Sequence, residues 1–570
     1  MTPFQPARNT RREFLSRGTF GVGSVALACL LQQEQALAVP KNLAMEPKSY
    51  DLLPKKPPIP PRARSLISLF MHGGPSQVDL LDPKPELTRR DGGSYDGNVV
   101  FSFFNRATKR LLGSPWKFQP HGQCGTEVSE LLPHIAGIVD DICVIRSMHT
   151  DTNDHGTSIR KLVTGLVVPD RPTFGAWLTY GLGSENQNLP AYIVLTDPGG
   201  QPTFGVQNWT NGWLPSIYQG TVVRPQEPRI LNLDPPPHLK GTLQEQNLDF
   251  LRELNQDYLA RHAGESDLEA RIASYELAAR MQVDAREALD ISRETETTHR
   301  LYGLDDPDTR EYGTRCLIAR RLVERGVRFV QLFLPSQPWD SHTDIRSSLP
   351  AICRKTDKPS AALVVDLKQR GLLDSTMVHW GGEFGRLPVS EGDPAKGGRD
   401  HNGEGFSIWL AGGGVCGGTT YGQTCQFGHR AEVDKVSHHD FQATMLHAFG
   451  LEHDQLTYIH NGQLQSLTAN QSCRIVTEIF GLLRRVEAWR AGALGACGTG
   501  SASTSVAPAG VALARPVISA RVALAPPVAG VALARRVWHW LGQYFGRTEP
   551  TTPSGGHWRS QCHTGRANHS

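Results

Sequence analysis

The chain has 570 residues, 39% of them hydrophobic, and sets 59 basic against 56 acidic side chains for a formal net charge of +3. That balance gives no whole-chain electrostatic case for a nucleic-acid partner, and the length suffices for one large domain or two. Nine of the ten cysteines lie beyond residue 38, scattered and without a Cys-x-x-Cys, so thiolate zinc sites are not expected.

Residues 1–38 read as an address. Thr10-Arg11-Arg12-Glu13-Phe14-Leu15 is a twin-arginine pattern, followed by an apolar stretch from Gly18 to Leu31 and the small-residue run Ala36-Leu37-Ala38. That is the order of a secretory signal. The apolar stretch is too short and Gly-rich for a spanning helix. Export through the twin-arginine route to the periplasm or the exterior is therefore expected, with no spanning helix in the mature chain. Export permits disulfides, and Cys416 with Cys425 could close a small loop.

Residues 39–62, rich in Pro and Lys, read as a linker to a domain over 63–485. Strand-like runs begin at 65–71, continue at 142–145 and 191–195, and are followed by an irregular insertion over about 196–242. Leu268, Ile272, Tyr275 and Ala279 recur at helical spacing, predicting a long amphipathic helix over 266–300. A helix at 308–325 runs into a strand at 327–333, and a helix near 358–370 into a strand at 376–380. This alternation predicts an α/β sandwich with a largely parallel central sheet, helices on both faces and ligands at the strands' carboxyl ends.

Beyond about 486 the pattern changes. Gly510-Val511-Ala512-Leu513-Ala514-Arg515 recurs at 530–535, and no acidic residue occurs from Ala488 to Thr548. The segment 486–570 reads as a low-complexity basic tail, expected to be disordered.

Chemistry-bearing residues cluster after the predicted strands. Asp340 and His342, two apart in an extended segment, face one side. Glu383 sits in the Gly-flanked turn Gly382-Glu383-Phe384-Gly385-Arg386, and Asp400 and His401 adjoin Arg399, which could clamp an oxyanion. Oxygen and imidazole donors of this kind suit a divalent ion such as Zn, Mn, Mg or Ca. His149-Thr150-Asp151-Thr152-Asn153-Asp154-His155-Gly156-Thr157 reads either as a polar loop and helix cap, or as ligands or a nucleophile at a helix N-terminus. Asp79 could complete the site, whereas Asp82-Pro83 reads as a turn. Asp440 reads as a helix N-cap and His438 as a further possible ligand.

These segments resemble the domain-of-unknown-function 1501 family of exported bacterial proteins. The resemblance rests on Leu69-Phe70-Met71-His72-Gly73-Gly74-Pro75-Ser76, Ile145-Arg146-Ser147-Met148-His149-Thr150, Trp339-Asp340-Ser341-His342 and the Gly382 and Gly398 turns, in order over about 60 to 482. It implies an alkaline phosphatase/sulfatase-like fold, one or two divalent metals, and hydrolysis of sulfate or phosphate esters on a small molecule or polysaccharide. Asp340 and His342 then resemble the first carboxylate–imidazole pair, Glu383 the later carboxylate and His401 the last His ligand. The chain departs from the family at the nucleophile. Ten residues before Gly165 stands His155, and no Cys-x-Pro-x-Arg occurs. His155 as nucleophile or ligand, Thr152 or Thr157 as nucleophile, direct attack by water, and a non-catalytic metal-binding or cell-surface protein all remain open.

Overall fold

The computed structural model describes residues 50–481, apart from 103–106, 232, 234–240, 262–265 and 393–395. The signal segment 1–38 and the tail 486–570 lie outside the described residues. Nine strands form the central sheet. They are β1 (Ser65–Phe70), β2 (Ile142–His149), β3 (Tyr192–Leu195), β4 (Thr221–Val223), β5 (Phe329–Phe333), β6 (Thr376–Gly381), β7 (Phe406–Ala411), β8 (Thr419–Tyr421) and β9 (Val436–Ser437). Across the sheet the order is β8-β2-β7-β6-β1-β5-β3-β4, with β9 paired to β2. Each pairing is parallel except the two made by β7.

The longer helices are α1 (His155–Thr164), α2 (Phe174–Leu182), α3 (Thr242–Arg261), α4 (Ser266–Leu289), α5 (Pro307–Glu324), α6 (Ile345–Gln369) and α7 (His438–Ala448). Every residue of β1, β5, β6 and β7 is buried, as expected of strands covered on both faces. Alternation divides the faces. Leu66, Ser68 and Phe70 point toward α1, α2 and α7 around a small cavity of about 50 Å³. Ile67 and Leu69 point the other way, the side on which α5 meets β1 and β5 and packs on α6. The chain forms the α/β sandwich with a largely parallel sheet that the alternation predicts.

Several local expectations change. The segment read as a linker over 39–62 is strapped to the domain from residue 50 onward: Lys55 N–H donates to Leu182 O, and Arg62 and Ala63 to Ala448 O. The insertion supplies the edge strand β4. In α4 Ile272 of the expected stripe is buried, along with Ala270, Leu277, Met281, Ala285, Ala288 and Leu289, while Tyr275 is 67% exposed. The helix expected near 358–370 begins at Ile345 and carries Pro350 and Pro359 inside it. Cys416 and Cys425 are free thiols and form no disulfide. Ser437, not Asp440, caps α7, and Asp440 closes the capping box from the third helical position. Among the described residues no helix is long and apolar enough to cross a membrane.

Candidate metal centre

Because β1, β2, β5 and β6 are parallel, their carboxyl ends share one edge of the sheet, where ligands collect in such folds. Antiparallel β7 starts at that same edge, so the segment 399–402 that leads into it arrives there too. At this edge, ligand-type atoms of His155, Asp340, His342 and His401 all lie within 4.8 Å of one another.

Local sequence explains the convergence. Asp154 caps α1 by accepting from Thr157 N–H at 3.0 Å, which sets His155 at the first helical position. Trp339, fully buried, anchors the next loop, and its main-chain N–H donates to His72 O at 3.1 Å. Gly73 has φ +106°, and a Cβ there would stand 2.5 Å from Asp340 N. Only glycine lets the turn after β1 lie so close under Asp340.

Three imidazole Nε2 atoms surround the Asp340 carboxylate. His342 Nε2 is 2.8 Å and His401 Nε2 3.3 Å from Oδ1, and His155 Nε2 is 3.3 Å from Oδ2. His342 Nε2 and His401 Nε2 are 3.0 Å apart. Each ring's other nitrogen is held from behind: His155 Nδ1 by Glu383 Oε1 at 2.7 Å, His342 Nδ1 by Glu391 Oε2 at 2.5 Å, and His401 Nδ1 by the Asn153 carbonyl at 2.7 Å.

These partners assign the tautomers. A carbonyl only accepts, so His401 Nδ1 carries the proton and its Nε2 a lone pair. Glu391, accepting at His342 Nδ1, leaves a neutral His342 ring with the same tautomer. Two lone pairs 3.0 Å apart repel unless a proton or a metal ion lies between them. Tetrahedral bonds of about 2.0–2.1 Å put ligand atoms roughly 3.3 Å apart; four of the contacts here run from 2.8 to 3.3 Å, and all the donor atoms lie within 4.8 Å of one another. His155 Nε2 is also buried without a hydrogen-bond partner. The three-imidazole, one-carboxylate set therefore fits a divalent metal, with the outer carboxylates orienting its histidines.

The electrostatics suit a cation's ligands. Burial works to raise the Asp340 pKa, but Arg386, with Nη2 at 2.6 Å, and the three imidazoles outweigh it and hold the group far below the usual carboxylate range. Burial opposes protonation of His155 and His342, yet Asp340 and their rear carboxylates leave both pKa values raised. For His401 burial prevails and the pKa is lowered. Burial drives His72 down to about 4 and His438 to about 3.

Not every residue singled out in the sequence joins the group. Asp340, His342 and His401 do, and His155 enters as a ligand-type partner. Glu383 lies behind His155, fully buried, accepting from the His155 ring and from Gly73 N–H at 3.0 Å. Asp400 accepts the His401 and Ser102 N–H groups at 2.7 and 2.9 Å, and with His342 and Glu391 forms a second close group. Asp79 and Arg399 are engaged with each other: Arg399 Nε and Nη2 reach the Asp79 carboxylate at 2.7 and 3.0 Å, both side chains wholly buried. The Thr157 hydroxyl bonds Asp154, and the Thr152 hydroxyl bonds Ser158 at 2.7 Å. His438 Nε2 donates to Glu383 O at 3.1 Å.

Sequence reasoning missed Glu391 and the Asn153 carbonyl, which hold two of the rings. It also missed His72 as a polar group, buried and with both ring nitrogens unpartnered. A lone Glu in Val389-Ser390-Glu391 and a main-chain oxygen carry no spacing signal. His72 was visible only as part of the Met71-His72-Gly73-Gly74 phrase.

A family model described as "Protein of unknown function (DUF1501)" matches residues 63–480. No curated protein matches the chain. Among solved structures, similarity extends to phosphonate monoester hydrolase SpPMH from Silicibacter pomeroyi, at 10% identity over 61% of this chain and 72% of that one, with a TM-score of 0.29. It extends also to the PsFucS1 sulfatase from Pseudoalteromonas sp., at 11% identity over 68% of each chain and a TM-score of 0.30. The lipoteichoic acid synthase LtaP from Listeria monocytogenes matches at 10% identity over 59% of this chain and 70% of that one, with a TM-score of 0.25. At these TM-scores the likenesses carry no argument about the site, whose reading rests on its own atoms.

Proposed function

The chain belongs to the DUF1501 family, and we propose that it is an exported metal-dependent hydrolase of sulfate or phosphate esters. In this reading His155, Asp340, His342 and His401 hold one divalent ion. The observation that carries it is the meeting of three Nε2 atoms on one carboxylate, each ring tied back through Nδ1. Imidazole-rich donor sets favour zinc over magnesium or calcium.

A bound divalent ion would supply polarisation of the ester oxygen and a nucleophilic water at neutral pH. The chain's own residues do the rest. Glu383, Glu391 and the Asn153 carbonyl fix the ring orientations, and Arg386 keeps Asp340 ionised. Thr152 and Thr157 have their hydroxyls engaged, and His155 turns Nε2 into the group. Water is accordingly the nucleophile assigned here. The substrate is a sulfated or phosphorylated small molecule or polysaccharide, and the fold is placed in the alkaline phosphatase and sulfatase lineage. Export rests on the Arg11-Arg12 signal pattern.

The test uses the full chain, folded with zinc, against p-nitrophenyl sulfate, p-nitrophenyl phosphate and a phosphonate monoester. Turnover that Asp340→Asn or a chelator abolishes, and that zinc restores, supports the reading. A zinc-loaded chain inert toward all three favours the second reading, a non-catalytic metal-binding or cell-surface protein on this fold. The engagement of Thr152 and Thr157 supports that alternative.

A further inference from the structure

One bulky residue near the metal centre holds an unfavourable backbone conformation. Phe204 has φ +69°, in the left-handed region. That conformation costs an ordinary side chain roughly 1–2 kcal/mol, and the following residue, Gly205, has positive φ as well, at +47°. Such positions concentrate at ligand-binding sites.

The surroundings hold Phe204 against both sides of the centre. Buried Asn208 donates its amide to Thr203 O at 2.8 Å and Gly205 O at 3.1 Å, bracing the turn. On one side Pro202 bridges to Ser336, and Ser336 N–H donates to Gln201 O at 3.0 Å, which ties the turn to the loop carrying Asp340. On the other side the ring meets α1 at Gly156, directly after His155. A Cβ at Gly156 would stand 3.0 Å from the ring's Cζ. The Arg160 guanidinium lies over the ring, 5.3 Å from its centroid, and Arg160 Nη2 donates to Gln207 Oε1 at 3.1 Å. The ring itself is only half-buried. Phe204 is thus a half-exposed aromatic held between the loop that leads to Asp340 and the first turn of α1, which carries His155.

We propose that Phe204, with Arg160 stacked on it, is the platform that receives the alcohol portion of the ester, selecting alcohols that carry a ring. Aryl groups and pyranose sugars share the chemistry it reads: a flat, weakly polar face that packs on an aromatic ring. The proposal rests on the metal-dependent ester reading and names the part of the substrate that the metal centre does not contact.

The test is equilibrium binding to the zinc-loaded full chain, by titration calorimetry, of four probes: inorganic phosphate, methyl phosphate, phenyl phosphate and glucose 1-phosphate. Aromatic contacts of this kind correspond to about five- to tenfold in affinity. Phenyl phosphate, glucose 1-phosphate or both should bind about that much tighter than methyl phosphate, and which does so distinguishes an aryl from a sugar platform. Phe204→Leu should bring the ring-bearing probes to within about twofold of methyl phosphate, with phosphate affinity and zinc content unchanged. Phe204→Trp should retain the preference. If phosphate binds but the ring preference is absent, or survives Phe204→Leu, the platform is refuted while the metal reading stands. If no probe binds to zinc-loaded protein, the ester reading fails and takes the platform with it.

Discussion

His342 Nε2 and His401 Nε2 face each other at 3.0 Å, and neither carries a hydrogen when both rings are neutral. The Asn153 carbonyl and the Glu391 carboxylate claim the two Nδ1 protons. Unless a proton or a metal ion is shared between the rings this contact is repulsive, and a divalent ion is an occupant that all three rings and Asp340 could share.

Metal removal should therefore destabilise the fold. With free zinc at a hundredfold excess over its dissociation constant, linkage contributes about 2.7 kcal/mol. The chelated protein should melt at a lower temperature, and Asp340→Ala should melt alike with or without zinc. Thermal unfolding with and without zinc checks both, and equal melting of the wild type in the two conditions counts against an ion at this position.

Glu391 tests the orienting role apart from ligation. Glu391→Gln leaves all four ligand atoms in place but weakens the hold on His342. Loss of such an outer partner costs about 10- to 100-fold in metal affinity. Competitive chelator titration should show that loss with stoichiometry unchanged at saturation. An unaltered affinity would mean the short His342–Glu391 contact plays no part in holding the ion.

Asp79 and Arg399 should behave as a structural pair. Removing one partner of a buried ion pair costs about 3–5 kcal/mol, because the other charge is left uncompensated. Asp79→Ala should lower stability by that order in urea unfolding. The clamp role that the sequence suggested for Arg399 predicts instead a stable protein with weakened substrate binding.

Acid should destabilise the fold through its buried histidines. His379, on β6 and away from the centre, hydrogen-bonds Ser68 and is pushed by burial from its ordinary 6.5 down to about 4. Because the folded pKa is the lower one, the unfolded chain takes the proton first. The stabilisation is complete above about pH 6.5 and is lost as pH falls toward 4. At about 1.4 kcal/mol per unit, the full effect is on the order of 3 kcal/mol. Urea unfolding at pH 7.5 and pH 5 should show a smaller acid loss for His379→Gln than for the wild type. Equal losses would remove His379 from the account.

The sheet was legible because β1, β5 and β6 are short, mostly apolar runs, the latter two set behind helical segments. Asp340 and His342 were legible through their i, i+2 spacing, and His401 through the motif around it. Other features were hidden for physical reasons. Pro350 and Pro359 disguise the first half of α6, since proline in a helix interior normally ends it. The Asp79–Arg399 pair spans 320 residues of sequence, so two plausible functional groups cancel each other where no spacing reveals it. His155 stood at the family's nucleophile position, open as nucleophile or ligand, and the direction of its Nε2 toward Asp340 favours the ligand. Glu383, expected as a ligand, instead stands behind His155 and accepts from its Nδ1.

X-ray absorption at the zinc edge of the zinc-loaded full chain tests the central claim most directly. Three imidazole nitrogens and one carboxylate oxygen at about 2.0–2.1 Å are predicted, falling to two imidazoles in His401→Ala. A shell with one imidazole or none, or a wild-type chain that retains no zinc after dialysis, would contradict the account.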